Sequence, residues 1–231
     1  WDLDSDRGGA YILPPYESDG GSNWYRGTAD AIYQNLNFVE MVGDDYVLIL
    51  SGDHIYSMDY AKMLAFHKKH QAKVTIATIR VPWDEASRFG IMVADETMRI
   101  NKFQEKPAKP ESNLASMGIY IFDRDVLESY LKADAKDEKS EHDFGKNVIP
   151  AMLKDKLPLY AYPFEGYWKD VGTIDSLWQA NMDLIADEPP LDLNNPAWRI
   201  YSASQSMPPH FVGPEGSAKS SIVAEGSAIL G

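Results

Sequence analysis

The sequence contains no cysteine among its 231 residues. Disulfide frameworks, thiolate metal sites and cysteine nucleophiles are therefore excluded. Basic residues are in the minority, with 22 Lys and Arg against 35 Asp and Glu, and the formal net charge is −13. Such an acidic chain argues against non-specific binding of nucleic acid, although a bound cation can still bring phosphate groups to acidic side chains.

The sequence also lacks a signal-peptide pattern and any apolar run of membrane-spanning length. Neither a G-x-G-x-x-G nor a Walker pattern occurs in it. Its five histidines show no metal-ligand spacing beyond His67 and His70, which are typical of a solvated helix face. We therefore expect a soluble, cytoplasmic protein without membrane partners, and 44% apolar residues are enough for one large α/β domain.

The strongest local pattern is the segment YVLILSGDHIY at residues 46–56. Its unbroken apolar run at residues 46–50 predicts a strand buried on both faces of a parallel sheet. Ligands of open α/β sheets lie just beyond the carboxyl ends of such strands, which makes Asp53 a candidate to hold a cation or orient a ligand. Alternatively, Asp53 only caps the next helix or closes a turn.

Three further patterns bear on the site. A helix at 58–70 and a strand at 73–81 complete a strand–helix–strand crossover with the first strand. Pro107 disfavours helix before it, so Glu105 and Lys106 are expected on extended chain. The pair Gly27 and Thr28 opens a helix, whose free backbone N–H groups would suit a phosphate or a base edge, whereas the segment taken alone favours a simple capped helix.

A second aspartate, Asp170, also ends an extended segment and precedes a helix. If both strands belong to one parallel sheet, Asp53 and Asp170 emerge at the same edge and can share a Mg²⁺ ion. Lys106 could then neutralise a phosphate as a point charge. These groups indicate metal-assisted phosphoryl or nucleotidyl transfer. Paired carboxylates for glycoside hydrolysis stay open as an alternative.

Six motifs occur together in one order. They are WYRGTADAIYQN, LSGDHIY, FQEKP, ASMGIYIF, HDFGKNVIP and YWKDVGT. In this combination the chain closely resembles bacterial glucose-1-phosphate adenylyltransferases. The resemblance implies an α/β fold: a Rossmann-like nucleotidyltransferase domain with a mixed, mostly parallel sheet at residues 1–186, a linker at 187–209, and the start of a left-handed β-helix at 210–231.

The resemblance further implies that ATP and glucose 1-phosphate react with Mg²⁺ to give ADP-glucose and pyrophosphate, the committed step of glycogen synthesis. It assigns the metal to Asp53 and Asp170 and catalysis to Asp53 and Lys106. It also implies an allosteric homotetramer, or a heterotetramer with a related subunit. The remaining residues that it assigns are Glu105, Ser116, Asp143, Phe144 and Trp168 on the sugar side, and Tyr25, Gly27 and Thr28 on the nucleotide side.

One departure from the family pattern is large, because the glycine-rich loop that cradles the ATP triphosphate has no counterpart here. The chain is therefore expected to be N-terminally incomplete and inactive by itself. Two alternatives stay open: a related pyrophosphorylase for UDP-, dTDP- or GDP-sugars, and a non-catalytic regulatory subunit. The intact Asp53, Lys106 and Asp170 count against the second. A pure β-helix scaffold is excluded, since the repeat is only a tail.

Overall fold

The computed structural model describes residues 11–15, 17–18, 21–22, 24–198, 200 and 207–231. These residues form two compact units. The larger unit comprises Ile12–Gly52 and Met58–Glu165, and the smaller unit comprises Tyr11, Asp53–Ser57 and Gly166–Gly231. The predicted division into a catalytic domain, a linker and a β-helix stays a prediction.

The elements alternate between strands and helices along the chain. The helices are α1 (Thr28–Tyr33), α2 (Leu36–Val42), α3 (Tyr60–Lys69), α4 (Arg124–Asp134), α5 (Ile149–Lys154) and α6 (Ile174–Leu184). The strands are β1 (Glu17–Ser18), β2 (Gly21–Ser22), β3 (Tyr46–Ile49), β4 (His54–Tyr56), β5 (Val74–Arg80), β6 (Gly90–Ala94), β7 (Ile100–Glu105), β8 (Leu114–Asp123), β9 (Leu159–Pro163), β10 (Trp168–Asp170), β11 (Phe211–Val212) and β12 (Ala228–Ile229). No helix among the described residues is long and apolar enough to cross a membrane.

A six-stranded mixed sheet forms the centre of the larger unit, in the order β7-β6-β8-β5-β9 with β3 paired to β8. Strand β8 runs antiparallel to β3, β5 and β6, and β6 runs antiparallel to β7. The β5–β9 pairing is parallel. The α/β class with a mixed sheet is confirmed, whereas the prediction of mostly parallel pairing is wrong.

The direction of β8 explains that error. β3 and β5 point the same way, as the predicted crossover requires, but β8 is inserted between them and runs in the opposite direction. β8 follows the β6–β7 hairpin directly, without a crossover helix. Its apolar run has the same appearance in sequence whether its neighbours are parallel or antiparallel, so periodicity could not predict its direction.

Strand β3 was expected to be buried on both faces, and this is wrong for the described part of the chain. Its four residues are half-buried or exposed, and the Leu48 side chain is 39% exposed. Among the described strands its one partner is β8, with Tyr46 opposite Asp123 and Ile49 opposite Tyr120. β3 is therefore an edge strand of the sheet described here.

The apolar core of the larger unit lies between the sheet and its helices. Val74 and Ile76 of β5 and Phe122 of β8 face Leu127 of α4 and Ile149 of α5, and all five are buried. Burying one side chain of this size contributes about 1.5–3 kcal/mol to folding. This core fixes the two ends of β8, which carries part of the candidate site.

His67 of α3 belongs to this interior, so its prediction as a solvated residue is wrong. Its side chain is 1% exposed, because it lies one helical turn after the buried Met63. The ring hydrogen-bonds through Nδ1 to the Thr75 hydroxyl (2.8 Å) and through Nε2 to the Asp123 carboxylate (3.0 Å). Thr75 is fully buried, so this Thr–His–Asp arrangement is structural and not a nucleophilic site.

We expect His67 to make the fold sensitive to mild acid. Burial lowers the pKa of His67 against the opposing effect of Asp123, so the ring stays neutral to a lower pH in the folded protein than in the unfolded one. Stability from the neutral ring is present above the unfolded pKa of about 6.5 and is lost as the pH falls through the lower folded pKa, at up to about 1.4 kcal/mol per pH unit. Urea unfolding from about pH 7.5 to about pH 5.5 measures this loss. His67→Gln should make the free energy of unfolding less dependent on pH. His210→Gln, a change at an exposed position, should leave that dependence as it is in the wild type. Equal pH dependence in the two variants would contradict the role given to His67.

The smaller unit contains β4, β10, α6 and the pair β11–β12. Thr173 caps α6 by accepting a hydrogen bond from the Ser176 N–H, and the Ser176 hydroxyl accepts one from the Thr173 N–H. β11 and β12 pair in parallel, with Phe211 opposite Ala228. A parallel pair at this spacing is compatible with a solenoid coil, but a single pair does not establish a repeat, and the β-helix stays a prediction.

Candidate functional site

Two acidic residues of the smaller unit are brought together by the pairing of β4 with β10. The strands are antiparallel, with Asp170 opposite His54 and Trp168 opposite Tyr56. Asp53 directly precedes β4, and its carbonyl accepts a hydrogen bond from the Val171 N–H (3.2 Å). The backbone therefore places Asp53 and Asp170 at the same end of this two-stranded sheet.

The side chains of Asp53, His54 and Asp170 each offer one ligand atom, and these atoms lie within 4.8 Å of one another. His54 Nε2 is 3.5 Å from Asp53 Oδ1. The Gly172 N–H donates to Asp170 Oδ1 (2.8 Å), and a Cβ on Gly172 would come within 3.0 Å of that oxygen. Two carboxylates at this separation suit a hard divalent cation that keeps other positions for water and phosphate.

The strand pairing that brings Asp53 and Asp170 together differs from the predicted one. The two aspartates were expected at the edge of one parallel sheet, whereas an antiparallel β4–β10 pair outside the main sheet unites them. The alternative that Asp53 caps the next helix is also wrong, because Asp59 caps α3 by accepting from the Ala61 N–H. Sequence reasoning missed His54, although its position directly after Asp53 was a signal.

Trp168, predicted on the sugar side, starts β10 in the same unit. Its ring meets the His54 ring edge-on, with centroids 5.1 Å apart. Trp168 thereby packs next to the acidic cluster. The other predicted site residues all belong to the larger unit.

Glu105 and Lys106 lie at the end of β7. Glu105 is the last residue of the strand, as expected, but Lys106 adopts a left-handed backbone conformation with φ of 43°, so its expected extended conformation is wrong. The Lys106 N–H donates to the Phe89 carbonyl, which turns the chain away from the sheet before Pro107. The Lys106 ammonium is exposed and makes no hydrogen bond or ion pair within the described part of the chain.

The Glu105 carboxylate is half-buried and lies between two glycines. A Cβ would approach Glu105 Oε2 to 3.0 Å from Gly90 and to 2.5 Å from Gly145. Burial, and secondly the charge of Asp143, raise the pKa of Glu105. No hydrogen bond reaches this carboxylate from the described residues. It therefore has unused acceptor capacity, which the hydroxyl groups of a sugar could satisfy.

Ser116 and Tyr120 meet through an irregularity in β8. The β5–β8 register shifts between Ile76 and Thr78, and Gly118 adopts φ of 66° at this bulge. The Ser116 side chain hydrogen-bonds to Tyr120, and burial raises the pKa of Tyr120 to about 12 despite that bond. Sequence reasoning missed Tyr120, although the glycine inside ASMGIYIF signalled a bulge two residues before it.

Asp143 precedes a single π-helical turn, Phe144–Val148, which leads into α5. Asp143 Oδ1 caps that turn by accepting from the N–H groups of Gly145 (2.9 Å) and Lys146 (3.0 Å). The Phe144 ring is buried and stacks against Tyr120 at a centroid distance of 5.7 Å. Phe144 thus anchors the segment in the core, while Asp143 is only half-buried.

The predicted nucleotide-side residues lie at the start of α1. The Tyr25 hydroxyl donates to the Leu13 carbonyl (2.8 Å) and accepts from Asn35 Nδ2 (2.9 Å). The expectation of free N–H groups at this helix end is wrong, since the N–H groups of the second and third helical residues, 29 and 30, both donate to the His142 carbonyl. This helix end is therefore already capped by the protein itself.

We predict that Gly27→Ala destabilises the fold. A Cβ on Gly27 would lie 2.4 Å from the His142 carbonyl oxygen and 2.6 Å from that of Glu141, and backbone atoms cannot move aside as a flexible side chain can. The free energy of unfolding should fall by about 1–3 kcal/mol in urea titrations. Gly52→Ala is the matched control, because no atom lies within 4 Å of its Cβ position. Equal stability of the two variants would show that the close approach at Gly27 is absent.

Comparison with known proteins adds to this geometry. The nucleotidyl transferase family matches residues 9–187. The glucose-1-phosphate adenylyltransferase of Clostridium acetobutylicum is 58% identical over 231 residues, which are 100% of this chain and 61% of that protein. Proteins of the same name from Geobacillus stearothermophilus and Bacillus thuringiensis are each 56% identical over the whole chain, which covers 60% and 61% of their lengths. The chain thus spans about three fifths of the length of these curated relatives.

Proposed function

The chain belongs to the nucleotidyl transferase family, and from this premise we propose that its protein transfers the adenylyl group of ATP to glucose 1-phosphate. An oxygen of the sugar phosphate forms a bond to the α-phosphorus of ATP. The bond from that phosphorus to the oxygen bridging to the β-phosphorus breaks, and pyrophosphate leaves with this oxygen. The products are ADP-glucose and pyrophosphate. Such transfer depends on positioning and charge stabilisation, so no covalent nucleophile is required.

The observation that carries this proposal is the approach of Asp53 and Asp170 through the β4–β10 pair. These carboxylates would hold a divalent metal ion, which we propose is Mg²⁺, and His54 lies within reach of the same position. When bound, the metal supplies positive charge that stabilises the charge developing on the phosphate oxygens. Asp53 suits this role because its side chain is 60% exposed.

The proposed sugar side is supported by groups with unused hydrogen-bonding capacity. The exposed Lys106 ammonium would pair with the phosphate of glucose 1-phosphate. Glu105, whose carboxylate has no hydrogen bond from the described residues, would accept from sugar hydroxyls. Ser116 and Asp143 would hold further hydroxyls from the same unit. The sugar contact of Trp168 and the contribution of Phe144 rest on the family resemblance and stay predictions.

The nucleotide side and the wider setting are likewise proposals. Tyr25, Gly27 and Thr28 would face the nucleotide, which the RGTAD motif supports. We further propose that the full-length protein acts in glycogen synthesis, assembles as a homotetramer or as a heterotetramer with a related subunit, responds to allosteric effectors, and works in the cytoplasm, where ATP is made. The support for these properties is the similarity to glucose-1-phosphate adenylyltransferases.

Labelled ATP tests the proposed bond cleavage. With the full-length protein, glucose 1-phosphate and Mg²⁺, label in the α-phosphate should appear in ADP-glucose, and label in the γ-phosphate should appear in pyrophosphate. If label from the γ-phosphate appears in a sugar product, the reaction is phosphoryl transfer by a kinase and not adenylyl transfer. No product with ATP but turnover with UTP or dTTP would favour a sister pyrophosphorylase.

A further inference from the structure

The segments predicted for the nucleotide and for the sugar share a side-chain hydroxyl. The Thr28 hydroxyl donates to Asp143 Oδ2 (2.9 Å) and accepts from the Phe144 N–H (3.1 Å). Thr28 starts α1, and the other two residues lie 115 and 116 positions further along the chain. A hydroxyl can donate and accept at once, and here both capacities link the same pair of segments.

Backbone contacts reinforce this link. The His142 carbonyl accepts from the N–H groups of Ala29 (2.9 Å) and Asp30 (3.3 Å). The missing side chain of Gly27 lets the two backbones approach more closely than a Cβ would allow. His142 is itself held by Asp134, whose carboxylate bonds to its ring Nδ1 (2.8 Å). Close-packed groups transmit displacement, so a shift at the start of α1 reaches residues 142–144.

Thr28 also defines the orientation of the Asp143 carboxylate. Asp143 Oδ1 is engaged by the N–H groups of Gly145 and Lys146, whereas Oδ2 receives its hydrogen bond from Thr28. A carboxylate oxygen accepts about two hydrogen bonds, so Oδ2 keeps capacity for one ligand hydroxyl. Without the Thr28 hydroxyl, Oδ2 would lose this partner and the Phe144 N–H would lose its acceptor.

From these contacts we propose that Thr28 is a positioning residue that couples the binding of ATP to the binding of glucose 1-phosphate. The inference rests on the proposed function. A nucleotide that binds at the Tyr25–Thr28 side further restrains the capped start of α1, and the Thr28 hydroxyl passes this restraint to the Asp143 carboxylate. The second substrate therefore binds to a site that is already ordered. Coupling of this kind is reciprocal, so each substrate must increase the affinity of the protein for the other by the same factor.

Calorimetric titration of the full-length protein tests the coupling directly. A non-reactive ATP analogue with a methylene group between the α- and β-phosphates should lower the Kd of glucose 1-phosphate by at least about 5-fold. Glucose 1-phosphate should lower the Kd of the analogue by the same factor. In Thr28→Val, which keeps the shape but removes the hydroxyl, both factors should fall to about 1. Thr28→Ser, which keeps the hydroxyl, should retain them.

Thr75→Val is the matched control, because it removes another side-chain hydroxyl bond without touching residues 25–28 or 142–146. It should lower the urea midpoint and leave the coupling factor unchanged. An unaltered factor in Thr28→Val, or its loss in Thr75→Val as well, overturns the proposal. The proposal is also overturned if the wild-type protein makes ADP-glucose but neither substrate changes the Kd of the other. In that case the proposed function still stands. A folded wild-type protein that binds neither substrate overturns both.

Discussion

Asp53→Asn should lower kcat for ADP-glucose formation on the order of 10³-fold. The side chain of Asn is nearly the same size, so the fold is kept while one negative ligand is lost from the Asp53–His54–Asp170 cluster. A bound metal contributes several kcal/mol of charge stabilisation to phosphoryl chemistry, and about 4 kcal/mol corresponds to this factor. Initial rates at saturating ATP and glucose 1-phosphate measure the effect.

Metal binding gives the same prediction an independent measurement. Mn²⁺ titration followed by electron paramagnetic resonance should show weaker binding in Asp53→Asn than in the wild type. Asp59→Asn is the control, since Asp59 caps α3 and Asn caps a helix about as well, so this variant should keep its stability, its metal binding and its activity. If Asp53→Asn keeps most of the activity, the metal role assigned to Asp53 is wrong.

Lys106→Ala should raise the KM for glucose 1-phosphate roughly 10- to 100-fold and change the KM for ATP much less. The ammonium is exposed and makes no hydrogen bond or ion pair in the described part of the chain, so its charge is available to a phosphate. A hydrogen bond to a charged group is worth about 1.5–3 kcal/mol, which corresponds to that factor. Lys109→Ala, in the loop after Pro107, is the control and should leave both KM values unchanged. Equal rises in both KM values would refute a specific sugar-phosphate contact.

The backbone of Lys106 adds a stability difference to this experiment. At a φ of 43° a residue with a Cβ is sterically strained, whereas glycine adopts this conformation without strain. Lys106→Gly should therefore be about 1 kcal/mol more stable in urea than Lys106→Ala, although both lack the ammonium. Equal stability would mean that the backbone of Lys106 carries no strain.

Local patterns in the sequence predicted much of the candidate site. Asp53 and Asp170 could be selected because each follows an extended segment and precedes small residues. The bulge at Gly118 was not predicted, although a glycine inside an apolar strand is a local sign of one. The capping role of Asp143 was visible because its carboxylate precedes a helical pattern. The predicted features depend on a few neighbouring residues, which is why sequence alone was enough.

Features that depend on distant pairings were not predictable. Nothing in the β8 run indicates that it lies antiparallel between β3 and β5, because side-chain periodicity carries no strand direction. The burial of His67 requires its partners Thr75 and Asp123, which are 8 and 56 residues away. The capping of α1 by the His142 carbonyl joins two loops that no local pattern connects.

Pyrophosphorolysis tests the central claim most directly. The full-length protein is incubated with Mg²⁺ and pyrophosphate, and the initial rate of nucleoside triphosphate formation is compared for ADP-glucose and UDP-glucose. We predict rapid formation of ATP and glucose 1-phosphate from ADP-glucose, with UDP-glucose at least about 10-fold slower, since losing even one good hydrogen bond to a substrate costs about that factor. A higher rate with UDP-glucose, or no reaction with either sugar nucleotide, would contradict the account.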